Sequence, residues 1–163
     1  MSAILFDLDG VLYEGDEAIP GAADAVNWFI ERDIPLLFLT NTTSKSRDAL
    51  VTKLSDLGIQ SSRENFLTPP VAAQQYLKKN NITNIALFVP VVTAEEFSDF
   101  ELVADQNITT NKNIDAVIIG DLGNQWTFSI MNTIFRLLIE NPQAKLIALG
   151  MTRYWKNFRR FTA

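Results

Sequence analysis

An α/β fold with parallel sheets is predicted for this chain of 163 residues by the arrangement of its apolar segments. Five short runs, AILF (3–6), PLLFL (35–39), IALFV (85–89), DAVIIG (115–120) and KLIALG (145–150), have the length of strands and are almost wholly apolar. Strands of that kind belong to parallel sheets covered on both faces. Segments with helical spacing lie between them, and such alternation is the pattern of βαβ units.

Taken in order, the first strand leads into VLYEGDEAI (11–19), which reads as a small hairpin around Glu14, Gly15 and Asp16. PGAADAVNWFIER (20–32) is a helix with Ala22, Val26, Phe29 and Ile30 on one face, and Pro20 suits its first turn. After the second strand, KSRDALVTKLSDLG (45–58) places Leu50, Leu54 and Leu57 on one face and stops at Gly58, a residue fitted to a helix C-terminus. The Thr68-Pro69-Pro70 sequence marks a break, and VAAQQYLKKN (71–80) resumes as a helix. TAEEF (93–97) reads as a short helical turn, and the Asn- and Thr-rich residues 107–113 as a surface loop. The helix predicted for WTFSIMNTIFRLLIE (126–140) puts Phe128, Met131, Phe135 and Leu138 on one face. Two units follow from this: residues 1–67, and a second α/β unit with its own core over 68–150. Residues 151–163 are a return segment or an aberrant tail.

Composition narrows the chemistry. An apolar content of 47% with 20% charge is that of an ordinary globular protein. A net charge of -5 argues against nucleic-acid partners. No apolar run approaches the ~18 residues of a membrane span, and no signal peptide is evident, so no membrane partner is expected. Having neither Cys nor His, the chain cannot use a thiol nucleophile, a Ser-His-Asp triad or the usual zinc ligands. The lack of cysteine fits a cytoplasmic location. Catalysis is left to carboxylates, hydroxyls, lysine, backbone dipoles or an oxygen-ligated metal such as Mg²⁺.

One stretch suits such chemistry. The first strand ends on Asp7-Leu8-Asp9-Gly10, and two like charges so close need a cation or a shared proton. Residues i and i+2 of a strand point to one side, so Asp7 and Asp9 can converge at the carboxyl end of the sheet, where α/β folds bind ligands. The second strand ends in FLTNTT, which brings Thr40 and Asn41 to the same edge. Their side chains and backbone N–H groups can hold phosphoryl oxygens. The bland alternatives are a plain turn at Asp9-Gly10 and a helix cap at Thr40-Asn41.

DLDGVL resembles the first motif of the haloacid dehalogenase superfamily, and LLFLTNTT resembles its second. With IPGA after the first motif and an α/β segment after the second, the chain is similar to the α/β-cap subgroup. That subgroup holds NagD-like and phospholysine phosphohistidine inorganic pyrophosphate phosphatase-like enzymes. The resemblance implies the N-terminal part of a Rossmann-like core with an inserted α/β cap, and phosphatase activity through an aspartyl-phosphate. It implies Asp7 as nucleophile and Asp9 as acid and base, Thr40 and Asn41 as phosphate ligands, and the Asp7 carboxylate and the Asp9 backbone carbonyl as holders of Mg²⁺. A small phosphorylated metabolite is the expected substrate, with specificity in cap loops such as Gly120-Asp121-Leu122.

Two further parts of the family's site, a lysine and a distal acidic motif, are not matched, and Lys156 is not assigned the lysine's role. The tail MTRYWKNFRRFTA is basic and aromatic, open to readings as a nucleic-acid patch or a disordered end. FRRFTA read one base later back-translates to Ser-Glu-Asp-Leu-Gln, so a frameshifted or truncated gene product is expected. Such a chain would have little activity, and an uncovered apolar sheet edge would favour a homodimer. A non-catalytic remnant that binds phosphate or a partner is the alternative function. A receiver domain fits less well, because its phosphoacceptor ends a later strand.

Overall fold

The short apolar strands pair in parallel, as their burial on a sheet requires. The computed structural model describes residues 3–105 and 113–151. The expectations for the tail, including Lys156, and for most of the 107–113 loop lie outside the described residues.

The first sheet has three strands, β1 (Ile4–Asp7), β4 (Leu36–Leu39) and β5 (Phe66–Leu67), in the order β1-β4-β5, all parallel. The third strand is only two residues long, too short to register as an apolar run. A hairpin of β2 (Tyr13–Glu14) and β3 (Glu17–Ala18) follows β1, turning through Gly15 at a positive φ of 62°. Helix α1 (Ala22–Ile30) starts after Gly21, so Pro20 precedes the first turn instead of forming it. Helix α2 (Arg47–Asp56) is capped by the Ser46 side chain, and Gly58 takes the left-handed conformation just past its end.

Phe6, Phe38 and Phe66 are register partners across the three strands, with ring centroids 6.3 and 5.2 Å apart. With Val26, Leu50 and Leu54 they form a core between the sheet and both helices. The opposite face is open, with Leu5 60% exposed and its partner Leu37 also exposed. The expectation of cover on both faces is corrected here. Strands laid down successively in one direction by right-handed crossovers send both helices to the same side.

The second sheet has four parallel strands, β6 (Asn84–Phe88), β7 (Glu101–Asp105), β8 (Ala116–Ile119) and β9 (Lys145–Ala148), in the order β7-β6-β8-β9. Strand β7 has polar ends and was not legible in the apolar pattern. Helix α3 (Pro69–Lys79), helix α4 (Val91–Ala94) and a 3-10 turn (Glu95–Phe97) lie beside one face. There Leu77 and Phe97 pack with Ile85, Leu87 and Ile118. Helix α5 (Phe128–Glu140) covers the other face through Ile134 and Leu137, packed on Ala86, Phe88 and Val117.

The single face predicted for α5 is corrected, because the structure divides it. Phe128 is 80% exposed, and Met131, Phe135 and Ile139 are exposed with it. Leu138 does pack inward, beside Ile130. This helix is apolar around most of its circumference, so spacing alone cannot choose the face that meets the sheet.

Candidate active site

Asp7 is the last residue of β1, and its register partner is Leu39, the last residue of β4. Parallel pairing therefore brings Asp7 and the next residue of the second chain segment, Thr40, to one edge. The turn after β1 is built on Leu8, which is fully buried between two exposed acids. Its carbonyl accepts from the Leu12 N–H at 2.9 Å, and the Gly10 N–H donates to Tyr13 at 2.8 Å. Gly10 has φ of 79°, a left-handed conformation that a side chain would strain. The Asp7 carboxylate accepts the Leu8 N–H at 2.8 Å, which fixes its orientation.

Thr40 is buried, with its N–H donating to Leu67 of β5 at 3.3 Å. Its hydroxyl oxygen accepts the Thr42 N–H at 3.1 Å, so the hydroxyl proton can turn elsewhere. Neither Thr40 nor Asn41 caps α2, a role filled by Ser46. Asp7, Thr40 and Asn41 line a single open cleft of about 480 Å³ over an apolar floor of Leu39 and Leu67.

Thr68, which in the sequence marks only a break, also lines the cleft. Its side chain caps α3, accepting from the Val71 N–H at 3.4 Å. Thr-Pro-Pro is a helix-start signal, a cap followed by residues that tolerate the first turn. Pro69 and Pro70 have no N–H, and the N–H groups of Val71 and Ala72 both go to Thr68. This helix end thus presents a positive dipole to the cleft without free amide donors.

Asp9 does not line the cleft but stands next to it, bridged to Tyr13 through the backbone. Tyr13 is buried, and its phenol is pushed up to about 12, first by burial and then by the charges of Asp9 and Asp7. Lys53 lies 3.9 Å over the Tyr13 ring and donates to the Gly15 carbonyl, which pins the hairpin against α2.

Carboxylate and carbonyl oxygens suit Mg²⁺, a hard cation, but two acids supply only part of an octahedron. Among the described residues, no three acidic, His or Cys side chains are grouped to hold a metal. Asp16 pairs with Lys53 at 3.4 Å, and Asp121 accepts the Gly123 N–H at 3.0 Å. Leu122, in the loop expected to govern specificity, is buried in the core under α5. No basic side chain lines the cleft among the described residues. A second concavity of about 450 Å³, at the opposite sheet edge between Pro35 and Asn65, is remote from both acids.

A family model described as haloacid dehalogenase-like hydrolase matches residues 4–103. The chain is 34% identical over 157 residues to the phospholysine phosphohistidine inorganic pyrophosphate phosphatase of Homo sapiens, covering 94% of this chain and 54% of that protein. It is 31% identical over 156 residues to haloacid dehalogenase-like hydrolase domain-containing protein 2 of Pongo abelii, covering 96% and 56%. Among solved structures, hypothetical protein PH1952 of Pyrococcus horikoshii superposes with a TM-score of 0.80 at 28% identity, covering 92% of this chain and 58% of that one. NagD of E. coli superposes with the same TM-score of 0.80 at 22% identity, covering 96% and 59%, a likeness of fold. The chain spans about half the length of the curated relatives it matches.

Proposed function

Because this chain belongs to the haloacid dehalogenase-like hydrolase family, we propose that it carries the nucleophile of a Mg²⁺-dependent phosphoric monoester hydrolase acting on small phosphorylated metabolites. One observation carries the reading. The register of Asp7 with Leu39 gathers Asp7, Thr40 and Asn41 in one cleft.

In this reading an Asp7 oxygen bonds to phosphorus as the bond to the leaving oxygen breaks, and Asp9 gives that oxygen its proton. Asp9 then takes a proton from water, whose oxygen attacks phosphorus and releases phosphate, restoring the Asp7 carboxylate. The Thr40 hydroxyl and the Asn41 amide donate to phosphoryl oxygens. Mg²⁺ would be held by the Asp7 carboxylate and the Asp9 backbone carbonyl, and would supply positive charge that offsets the acid pair and the phosphate. Residues 1–67 serve as the core portion and 68–150 as the cap.

Phosphoryl transfer rests on positioning and charge stabilisation. A cleft with no basic side chain among the described residues should turn over roughly a thousandfold more slowly than one holding a lysine, going by the loss of single electrostatic groups. The test is release of p-nitrophenol from p-nitrophenyl phosphate with Mg²⁺ by the chain and by Asp7→Asn. Slow release that Asp7→Asn abolishes supports the reading, and release unchanged by Asp7→Asn overturns it.

A homodimer through α5 is proposed with it. Leu146 pairs with Val117 in register, so it lies on the α5 side of the sheet and is exposed, as is the α5 stripe of Phe128, Met131, Phe135 and Ile139. The stripe is nearly symmetric about its centre, so two copies related by a twofold axis can pack Phe128 on Ile139 and Met131 on Phe135. Together they would bury about 1,000 Å² of apolar surface, at the lower limit for a specific interface.

A further inference from the structure

The loop that carries Thr40 and Asn41 is held partly by residues of the second unit. Thr40 is tied to β5, and Thr42 is tied back to the Thr40 hydroxyl. The next two anchors come from α4 and the 3-10 turn after it. The Thr93 hydroxyl, 2% exposed, donates to the Thr43 carbonyl. Glu96, whose side chain is 4% exposed, accepts from Arg47, the first residue of α2, at 3.1 Å from Nε and 2.7 Å from Nη2. Arg63 Nη2 lies 3.5 Å from the same carboxylate, and Gln74 donates to it at 3.5 Å. Residues 40–47 are thus fixed at both ends and in the middle.

We infer that Thr93 and Glu96 are positioning residues for phosphoryl recognition, setting the backbone on which Thr40 and Asn41 face the cleft. The inference rests on the reading of those two residues as phosphate ligands. Neither Thr93 nor Glu96 lines the cleft. Their effect passes through Thr43 and Arg47, which bracket the rest of the loop. A loop ordered before the ligand arrives binds it without a further entropy cost. The bonds also link recognition to the second unit, because α4 follows directly on β6.

The experiment titrates inorganic phosphate into the 163-residue chain and follows the amide resonances of residues 40–43. It is repeated with Thr93→Val, which keeps the side-chain volume and removes the donor, and with Thr93→Ser, which keeps the donor. Wild type should show saturable shifts at Asn41 and its neighbours, and Thr93→Val should bind about fivefold more weakly, the worth of one hydrogen bond. Thr93→Val should also speed amide exchange at residues 42 and 43, with Thr93→Ser restoring both properties. Glu96→Gln provides a second variant read in the same way. Equal phosphate affinity in wild type and Thr93→Val would overturn the inference while leaving the phosphate site standing. Absence of any shift at residues 40–43 in wild type would instead overturn the phosphate site, and the inference with it.

Discussion

Arg47 and Glu96, 49 residues apart, form a two-pronged ion pair at 2.7 to 3.1 Å in which the carboxylate is almost sealed from water. Burial alone would raise the Glu96 carboxyl. The hydrogen bonds and charge of Arg47, with the charge of Arg63, outweigh it and hold the group below its ordinary value of 4.5. A carboxyl lowered on folding stabilises the fold above its unfolded pKa, and that contribution disappears as pH falls through the lower, folded value. Glu96→Gln should therefore destabilise the chain at pH 7, by about 2 kcal/mol for a mostly buried pair. The difference from wild type should shrink as pH falls well below 4.5. Urea denaturation at pH 7 and at acid pH checks this, and a difference that stays constant would refute it.

Asn41 is exposed, whereas Thr40 is buried and bonded into the loop. Asn41→Ala should weaken inorganic phosphate about fivefold with little change in stability, since it removes one donor. Thr40→Val should weaken phosphate and also destabilise the fold, by about 1 kcal/mol, because the Thr42 N–H loses its acceptor. Phosphate titration and thermal unfolding of the two variants separate these effects.

Mg²⁺ should bind weakly, in the millimolar range, because the Asp7 carboxylate and the Asp9 carbonyl leave most of the octahedron to water. Calorimetry measures it directly. Tight, stoichiometric binding would mean that another acid completes the site.

The outer stripe of α5 sets the state of association. Phe128→Ser combined with Phe135→Ser should convert a dimer to a monomer in analytical ultracentrifugation. Both side chains are exposed, so the melting temperature of the dilute protein should hardly change. A wild-type chain that sediments as a monomer at high concentration would remove the proposed interface.

The sequence by itself determined the alternation of strands and helices, the hairpin at Gly15, the helix stop at Gly58 and the shared sheet edge of Asp7 and Thr40. These depend on local pattern. Parallel strands joined by helices must all end on the same side, so the residues that follow two such strands meet wherever the core is assembled. Other features were decided only by tertiary structure. The inward face of α5 depended on which of two apolar stripes fitted β6 and β8, and the open face at Leu5 on the side to which both crossovers turned. The polar-ended strand β7 and the two-residue strand β5 exist because neighbouring strands offered unpaired backbone groups. The Thr93 and Glu96 anchors, 50 and 49 residues from their partners, leave no periodic trace. A hydroxyl or a carboxylate in a loop looks solvated until the chain folds another loop against it and excludes the water.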